Sequence, residues 1–234
     1  MLDNKVLKDT QKSDRWQRAR TPEQQEKRRL DILQAAYKLF LDKDFEEISL
    51  NSIATESKLS KPSIYLYFKT REEIFMHIFE EAFREWITNS VKVLGTMHEG
   101  ADSGEIAHAW IDVLWNNERM CSLAPLLQLT IEHNISEDLL TDTLRMKLEE
   151  SKKLQKSMQR FIPGINLTDT FTMILYALNL FSQFVANARN RRLLSVLSSD
   201  EFSSLHIDLT QFTINGVARL LDSYMNQYIG IINK

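Results

Sequence analysis

A run of hydroxyl, amide, phenol and ammonium side chains lies between residues 49 and 70. These groups donate hydrogen bonds, and the edges of bases and the oxygens of phosphates accept them. The same serines do not suit nucleophilic catalysis, because the glycine-shaped elbow G-x-S-x-G is missing from the sequence. The first of the 6 glycines is Gly95, so no glycine-built phosphate loop overlaps the run. The pattern favours binding over catalysis, and we expect no enzyme.

Helices must position this run. An amphipathic helix opens at Thr21-Pro22 and continues for several turns. A short helix follows over 50–57, and a second one over 61–68 carries Pro62 in its first turn, where the missing backbone donor is not needed. A turn of a few residues joins the two short helices. The pattern predicts a helix-turn-helix whose recognition helix is 61–68.

A short recognition helix presents its first residues to base edges in the major groove. The candidates for direct readout are therefore Lys61, Pro62 and Ser63, while Ile64 and Phe68 hold the helix to its own core. The other candidates for DNA contact, mostly to phosphates, are Ser49, Asn51, Thr55, Ser60, Tyr65, Tyr67, Lys69 and Thr70. For the serines at 49 and 60 and for Thr70, helix capping is an equally good interpretation.

Charge is distributed unevenly along the chain. The net charge is −3, yet residues 5–29 hold nine Lys and Arg against four Asp and Glu. A basic arm ahead of a compact domain adds phosphate contacts, although a solvated leader is an equally good interpretation. We divide the chain into a basic N-terminal arm over 1–25, a DNA-binding domain over 26–86 with its motif at 49–68, and a third part over 87–234.

The DNA-binding domain resembles the signature of the TetR/AcrR transcriptional regulators over about residues 26–86. The shared features, in order, are Ala35-Ala36, Leu39-Phe40, Ile53-Ala54, Leu59-Ser60, Ile64-Tyr65-x-Tyr67-Phe68 and Lys69-x-Arg71-Glu72-Glu73. The resemblance implies a repressor that binds a palindromic double-stranded DNA operator as a homodimer. It also implies that 87–234 is a ligand-binding and dimerisation domain, a helical region that encloses a pocket for a small-molecule effector.

Two positions depart from that family's pattern. Members usually carry glycine at the end of the first helix and in the turn of the helix-turn-helix, where this chain has Asp44 and Lys58. Both positions favour a left-handed backbone, which Asp adopts reluctantly and Lys more so. We therefore expect a strained turn at Lys58.

The rest of the chain shows helical spacing, so we expect an all-α protein of about nine helices. Glycines at 95–104 indicate a loop. A helix over 168–188, which carries no charged residue from Thr170 to Ala188, precedes a last helix over about 200–230. The polar residues of the uncharged helix favour burial in protein over a membrane span. The resemblance implies that the last two helices pair between protomers, with interface candidates Phe181, Val185, Phe212, Gly216, Leu220 and Tyr224.

Candidates for the pocket are the large side chains Phe83, Trp86, Trp110, Trp115, Met120, Met173 and Tyr176, each of which also suits a plain core. No charged cluster accompanies them, which favours an apolar or aromatic effector. The five histidines lack metal-ligand spacing, and Cys121 is expected to be a small buried hydrophobe, so we expect no metal and no cofactor.

Other function classes stay open at this point. A helical interaction module without DNA binding is the main rival, and a regulator of this type that activates transcription or acts without a ligand is another. The N-terminus lacks the apolar stretch of a secretory signal, so a cytoplasmic location is expected.

Overall fold

The computed structural model describes residues 21–199 and 208–232, and these form ten α-helices and no strand. The all-α class is confirmed. The basic residues of the arm before residue 21, and the predicted start of the last helix at 200–207, lie outside the described residues. The helices are α1 (Pro22–Asp42), α2 (Leu50–Glu56), α3 (Lys61–Ile64), α4 (Arg71–Thr96), α5 (Ser103–Trp115), α6 (Glu118–Leu126), α7 (Glu137–Met158), α8 (Leu167–Arg189), α9 (Arg191–Leu197) and α10 (Leu209–Ile232).

The chain divides into two compact units, one ending at Ile74 and the other beginning at Phe75. The division falls inside α4, earlier than the boundary after residue 86 that the sequence suggested. In the first unit, α1 and α2 pack together and α3 packs on α2. Its core is fully buried and consists of Ile32, Ala36, Phe45, Ile48, Ile53, Ile64 and Phe68.

In the second unit α8 is the central helix, because it packs against α6, α7, α9 and α10. It is the one helix among the described residues that is long and apolar enough to cross a membrane by length and composition. A core helix of a helical protein has the same composition, and Met173, Ala177 and Phe181 of α8 are buried within the unit. Of the polar residues in this helix, Thr170 is buried, whereas Asn179 and Gln183 are exposed.

Two connections differ from the prediction. Gly95 lies within α4 and Gly104 within the first turn of α5, so the loop between them is shorter than the glycines indicated. Asp102 caps α5 and forms a capping box with Glu105, which secures a helix start despite the glycine. The unpredicted helix α9 begins where the Asn190 side chain accepts a hydrogen bond from the Leu193 amide, at 3.0 Å.

Helix α4 is tied to α7 and to the turn after it at two places. Near the start of the second unit, the buried Thr143 hydroxyl donates to Glu80 Oε1 at 2.7 Å, and His77 Nδ1 lies 3.0 Å from Glu80 Oε2. At the other end, the Arg160 guanidinium donates hydrogen bonds to two backbone carbonyls near the end of α4 and to the carbonyl of the first residue after the helix. Those distances are 3.1 Å to Leu94, 3.2 Å to Gly95 and 3.1 Å to Met97.

Candidate nucleic-acid interface

Helix α2 begins at a capping box. The Ser49 hydroxyl accepts from the Ser52 amide at 3.2 Å, and the Ser52 hydroxyl accepts from the Ser49 amide at 3.0 Å. Asn51 and Thr55 lie on the exposed face, as predicted for phosphate contacts. The Thr55 hydroxyl, however, donates to the Asn51 carbonyl at 3.1 Å. Because phosphate oxygens only accept hydrogen bonds, Thr55 is the weakest of these candidates.

The turn after α2 contains the strained residue that the sequence predicted. Lys58 has φ 57°, and it is the one non-glycine residue with positive φ in the described ranges. Its amide donates to the Thr55 carbonyl at 3.1 Å, and the Leu59 amide donates to the Ala54 carbonyl at 2.9 Å. These two bonds define a Schellman motif, whose left-handed position normally takes glycine.

The companion prediction for Asp44 is wrong. Asp44 has φ −65° and ψ 147°, an ordinary extended conformation. Helix α1 ends at Asp42, the next residue Lys43 is itself extended, and Phe45–Glu47 then forms a 3₁₀ turn. The chain leaves α1 without a left-handed residue, so glycine has no advantage there.

Helix α3 is shorter than the predicted recognition helix, since its α-helical part ends at Ile64. The Tyr67 amide then donates to Ile64 three residues back, which tightens the chain into a turn. Ser60 caps the helix, and its hydroxyl lies 2.8 Å from that of Ser63. The hydroxyls of these two serines therefore satisfy each other in part.

The exposed side of α3 carries three of the residues predicted to contact DNA. Lys61, Pro62 and Tyr65 are exposed, while Ile64 beneath them is fully buried. The Lys61 ammonium lies 5.9 Å from the centre of the Tyr65 ring, and half of Tyr65 is accessible. The Lys61 ammonium and the Tyr65 phenol thus lie side by side at the surface, above the buried Ile64. Tyr67 is half-buried.

The start of α4 restricts how it can meet a phosphate. The Glu73 carboxylate accepts from the amides of Lys69 and Thr70, and the Glu73 amide donates to the Thr70 hydroxyl at 3.0 Å. The capping box expected there is thus present. Since a carboxylate already occupies these amides, the groups left to donate to a phosphate are the Lys69 ammonium and the Thr70 hydroxyl.

Two long-range contacts hold the motif together, and the sequence reasoning did not assign a role to either. Arg71 donates to the backbone carbonyls of Phe45 and Ile48, at 2.7 and 2.8 Å, and its guanidinium lies 4.1 Å from the centre of the Phe45 ring. Lys38 on α1 pairs with Glu56 on α2 at 2.6 Å. That hydrogen bond and the lysine charge lower the pKa of Glu56. The residue types alone do not reveal such partners, because both contacts join distant parts of the chain.

The pocket candidates separate into two groups. Phe83, Trp86, Trp110, Met120 and Met173 are buried. Trp115 and Tyr176 are about half exposed, at 48% and 54%, so these two do not belong to an enclosed core. The Trp115 ring lies at the surface, 5.0 Å from the Phe184 ring. The thiol of Cys121 donates to the Trp115 carbonyl at 3.2 Å, and Cys121 is half-buried rather than buried as expected.

The interface candidates also separate. Phe181 and Val185 are buried within the chain itself, which leaves them no surface for a partner. Gly216 does permit a close approach, but the helix that approaches it is α8 of the same chain, since a Cβ there would lie 3.1 Å from Leu180. Phe212 is 64% exposed, and Leu220 and Tyr224 are half-buried.

Lys147 is a buried charge that the sequence reasoning missed. It is 4% exposed, pairs with Glu132 at 3.2 Å and lies over the Phe79 ring at 5.2 Å. Its spacing from the buried Thr143 and Ser151 on α7 was the signal that could have placed it in the core. Within residues 21–199 and 208–232, no three His, Cys, Asp or Glu side chains converge on a possible metal position, and His206 lies outside these ranges.

A capped helix-turn-helix with an exposed basic and phenolic face defines the class of helix-turn-helix DNA-binding regulators. Residues 32–78 match the family model described as "Bacterial regulatory proteins, tetR family", and residues 80–221 match "Tetracyclin repressor-like, C-terminal domain". The chain belongs to the TetR family of transcriptional regulators, which are DNA-binding transcription factors and not enzymes.

The chain is similar to the "Uncharacterized HTH-type transcriptional regulator YfiR" of Bacillus subtilis (strain 168), with 38% identity over 65 residues. That match covers 28% of this chain and about a third, 32%, of the relative. A crystal structure of a putative TetR-family regulator from Syntrophomonas wolfei str. Goettingen has a TM-score of 0.53 at 17% identity, covering 84% of this chain and 96% of that one. The fatty acid degradation regulator FadR from Bacillus halodurans has a TM-score of 0.50 at 16% identity, covering 82% and 96%. At these identities the likeness to the solved structures concerns the fold.

Proposed function

We propose that the protein is a cytoplasmic repressor that binds a palindromic operator as a homodimer and releases it when a small effector binds the second unit. The observation that carries the proposal is the exposed pair Lys61 and Tyr65 on α3, held by the buried Ile64. An ammonium and a phenol at the start of a recognition helix suit base edges and phosphates. TetR membership supports the DNA-binding part of the proposal.

The test begins with genome-wide mapping of bound DNA, which supplies an operator fragment. Gel-shift titrations then compare the wild type with Lys61→Ala and Tyr65→Ala. We expect each substitution to weaken binding by roughly 1–3 kcal/mol, about 5- to 150-fold. Lys156→Ala is the matched control, because Lys156 is an exposed lysine on α7. Unchanged affinity in both variants, with unchanged melting, would sink the assignment of α3 as the DNA-reading element.

The homodimer is supported by apolar surface on α8 and α10. Leu175, Tyr176 and Phe212 are exposed, which costs free energy unless a partner covers them. Burial is the main cause that raises the pKa of Tyr224, and Tyr176 and Asp169 are close enough to raise it further.

Light scattering tests the dimer. We expect Phe212→Asp to shift the protein toward the mass of a single chain, 27.4 kDa, because burying an unpaired carboxylate opposes association. Leu144→Asp is the control, since Leu144 is an exposed leucine on α7. A Phe212→Asp variant with the mass of two chains would remove this face from the proposal.

A reporter gene behind the mapped operator tests repression. Deleting the gene for the regulator must raise expression of the reporter.

A further inference from the structure

Leu66 is an apolar side chain that the folded chain leaves mostly in water. It is 78% exposed, more than any other large apolar side chain whose burial the structure describes. It lies in the turn over residues 65–67, directly after the α-helical part of α3. A single exposed leucine is ordinary on a protein surface, so its exposure alone assigns it no role. Its direction and its neighbours are what point to a role.

Leu66 faces away from the core of the first unit. The Phe68 amide donates to the Ile64 carbonyl, four residues back, at 3.0 Å, so the chain keeps a helical course past the end of α3. Successive residues of a helix turn by about 100°. Leu66 is two residues from each of Ile64 and Phe68, both of which are buried, so it lies on the opposite side of the segment. That side is the one α3 presents to the outside.

The neighbours of Leu66 are one apolar residue and several donors. Pro62 precedes it by four residues and is also exposed, so the two lie next to each other on the outer side. Lys61 and Tyr65 lie beside this pair, as described above. The segment from residue 58 to residue 69 contains three lysines and no Asp or Glu. The outer side of α3 therefore combines a small apolar strip with a cationic, donor-rich surrounding.

The major groove of DNA has the matching chemistry. Its base edges carry one apolar group, the C5 methyl group of thymine, and anionic phosphates flank the groove. A protein partner is a poorer match, because protein interfaces bury apolar patches of several hundred Å², which two side chains do not provide.

We propose that Leu66 contacts the C5 methyl group of a thymine in each half of the operator and makes the protein select thymine at that position. This assignment rests on the proposed function, because it names a base that α3 reads. Lys61 and Tyr65 then hold α3 in the groove through polar contacts, while Leu66 distinguishes thymine from the other bases by its methyl group.

The test uses synthetic operator duplexes in which single thymines are replaced by deoxyuridine. This replacement removes the methyl group and leaves base pairing unchanged. Gel-shift titrations compare the wild type with Leu66→Ala on the same duplexes. One replacement in each half-site should weaken wild-type binding about fourfold, the value of one buried methyl group. The same replacement should leave the affinity of Leu66→Ala unchanged.

Two further variants serve as controls. Leu41→Ala removes another leucine of the first unit, 61% exposed and on α1, so it should respond to deoxyuridine like the wild type. Pro62→Ala tests the apolar neighbour. If the methyl effect persists in Leu66→Ala, or disappears in Pro62→Ala alone, Leu66 does not read the thymine and the proposal is wrong. It is equally wrong if no single replacement weakens wild-type binding. Because Leu66 is exposed, Leu66→Ala should melt like the wild type, which excludes unfolding as a cause.

Operator binding separates the failure of this assignment from the failure of the proposed function. If the wild type binds a mapped fragment and Lys61→Ala weakens that binding, but no thymine methyl group matters, the thymine contact fails and the regulator stands. If no genomic fragment is bound, the proposed function fails and the thymine contact fails with it, before any deoxyuridine duplex is made.

Discussion

Replacing the strained Lys58 by glycine should stabilise the protein. Lys58 has φ 57° at the left-handed position of a Schellman motif, where a side chain costs about 1–2 kcal/mol relative to glycine. Glycine also makes the unfolded chain more flexible, which lowers stability by about 0.4–1 kcal/mol. The difference predicts a net gain of about 0.5–1 kcal/mol in the free energy of unfolding for Lys58→Gly.

The assay is urea unfolding followed by circular dichroism, with two matched controls. Lys58→Ala removes the same charge, including its attraction to Glu56, but keeps a side chain at positive φ, so we expect no gain. Lys43→Gly places glycine at an extended residue with φ −138°, where no strain is relieved. That variant should lose about 0.5–1 kcal/mol.

The comparison between the glycine and alanine variants at position 58 isolates the backbone effect, because charge and length are lost in both. A Lys58→Gly protein that is no more stable than Lys58→Ala would refute the reasoning. The turn would then tolerate the lysine without strain in solution.

Three further outcomes follow from the contacts described above. Arg71→Ala should lower the free energy of unfolding by about 2–3 kcal/mol, because it leaves two backbone carbonyls without their charged donor. Arg71→Lys should not restore the lost stability. An Arg71→Ala protein as stable in urea as the wild type would contradict this. Burial raises the pKa of Glu80, but hydrogen bonds from His77 and Thr143 outweigh it and hold the pKa below its ordinary value. This stabilisation is present above the unfolded pKa, near 4.3, and disappears as the pH falls below it. Thr143→Val should therefore cost about 1–3 kcal/mol at pH 7 and less at pH 3, and a constant cost across this range would be evidence against the hydrogen bond to the carboxylate. Deleting residues 1–20, which hold six Lys and Arg, should flatten the dependence of operator affinity on salt, and an unchanged slope would assign the arm no phosphate contacts.

The sequence was a good guide wherever a local rule was enough. Apolar spacing located the helix-turn-helix, and the Ser49 and Thr70 caps follow from residue type and position. The strain at Lys58 could be foreseen because members of the resembled family usually carry glycine there, and the left-handed position of such a turn normally takes glycine. The extended conformation of Asp44 could not be foreseen, because whether the chain leaves a helix in a left-handed or an extended conformation depends on what packs next to that helix end.

Non-local packing was beyond the same rules. Apolar periodicity marked Phe181 and Phe212 equally, but the first is buried in its own chain and the second is exposed. Helical spacing says that a face is apolar and does not say which neighbour covers it. The burial of Lys147 was missed because a lysine is seldom buried without a partner. Its partner Glu132 lies on another element, and the spacing of residues along α7 does not reveal that contact.

The two places where α4 is held beside α7 restrict the motion of α4. Glu80 and Leu94 are separated by about 21 Å of helix, at 1.5 Å per residue. With both ends of this stretch held, α4 cannot slide along its axis or turn about it without losing the Thr143 and Arg160 hydrogen bonds together. Between Glu80 and Leu94, a displacement of α4 that keeps these hydrogen bonds therefore requires a matching displacement of α7 and the turn after it.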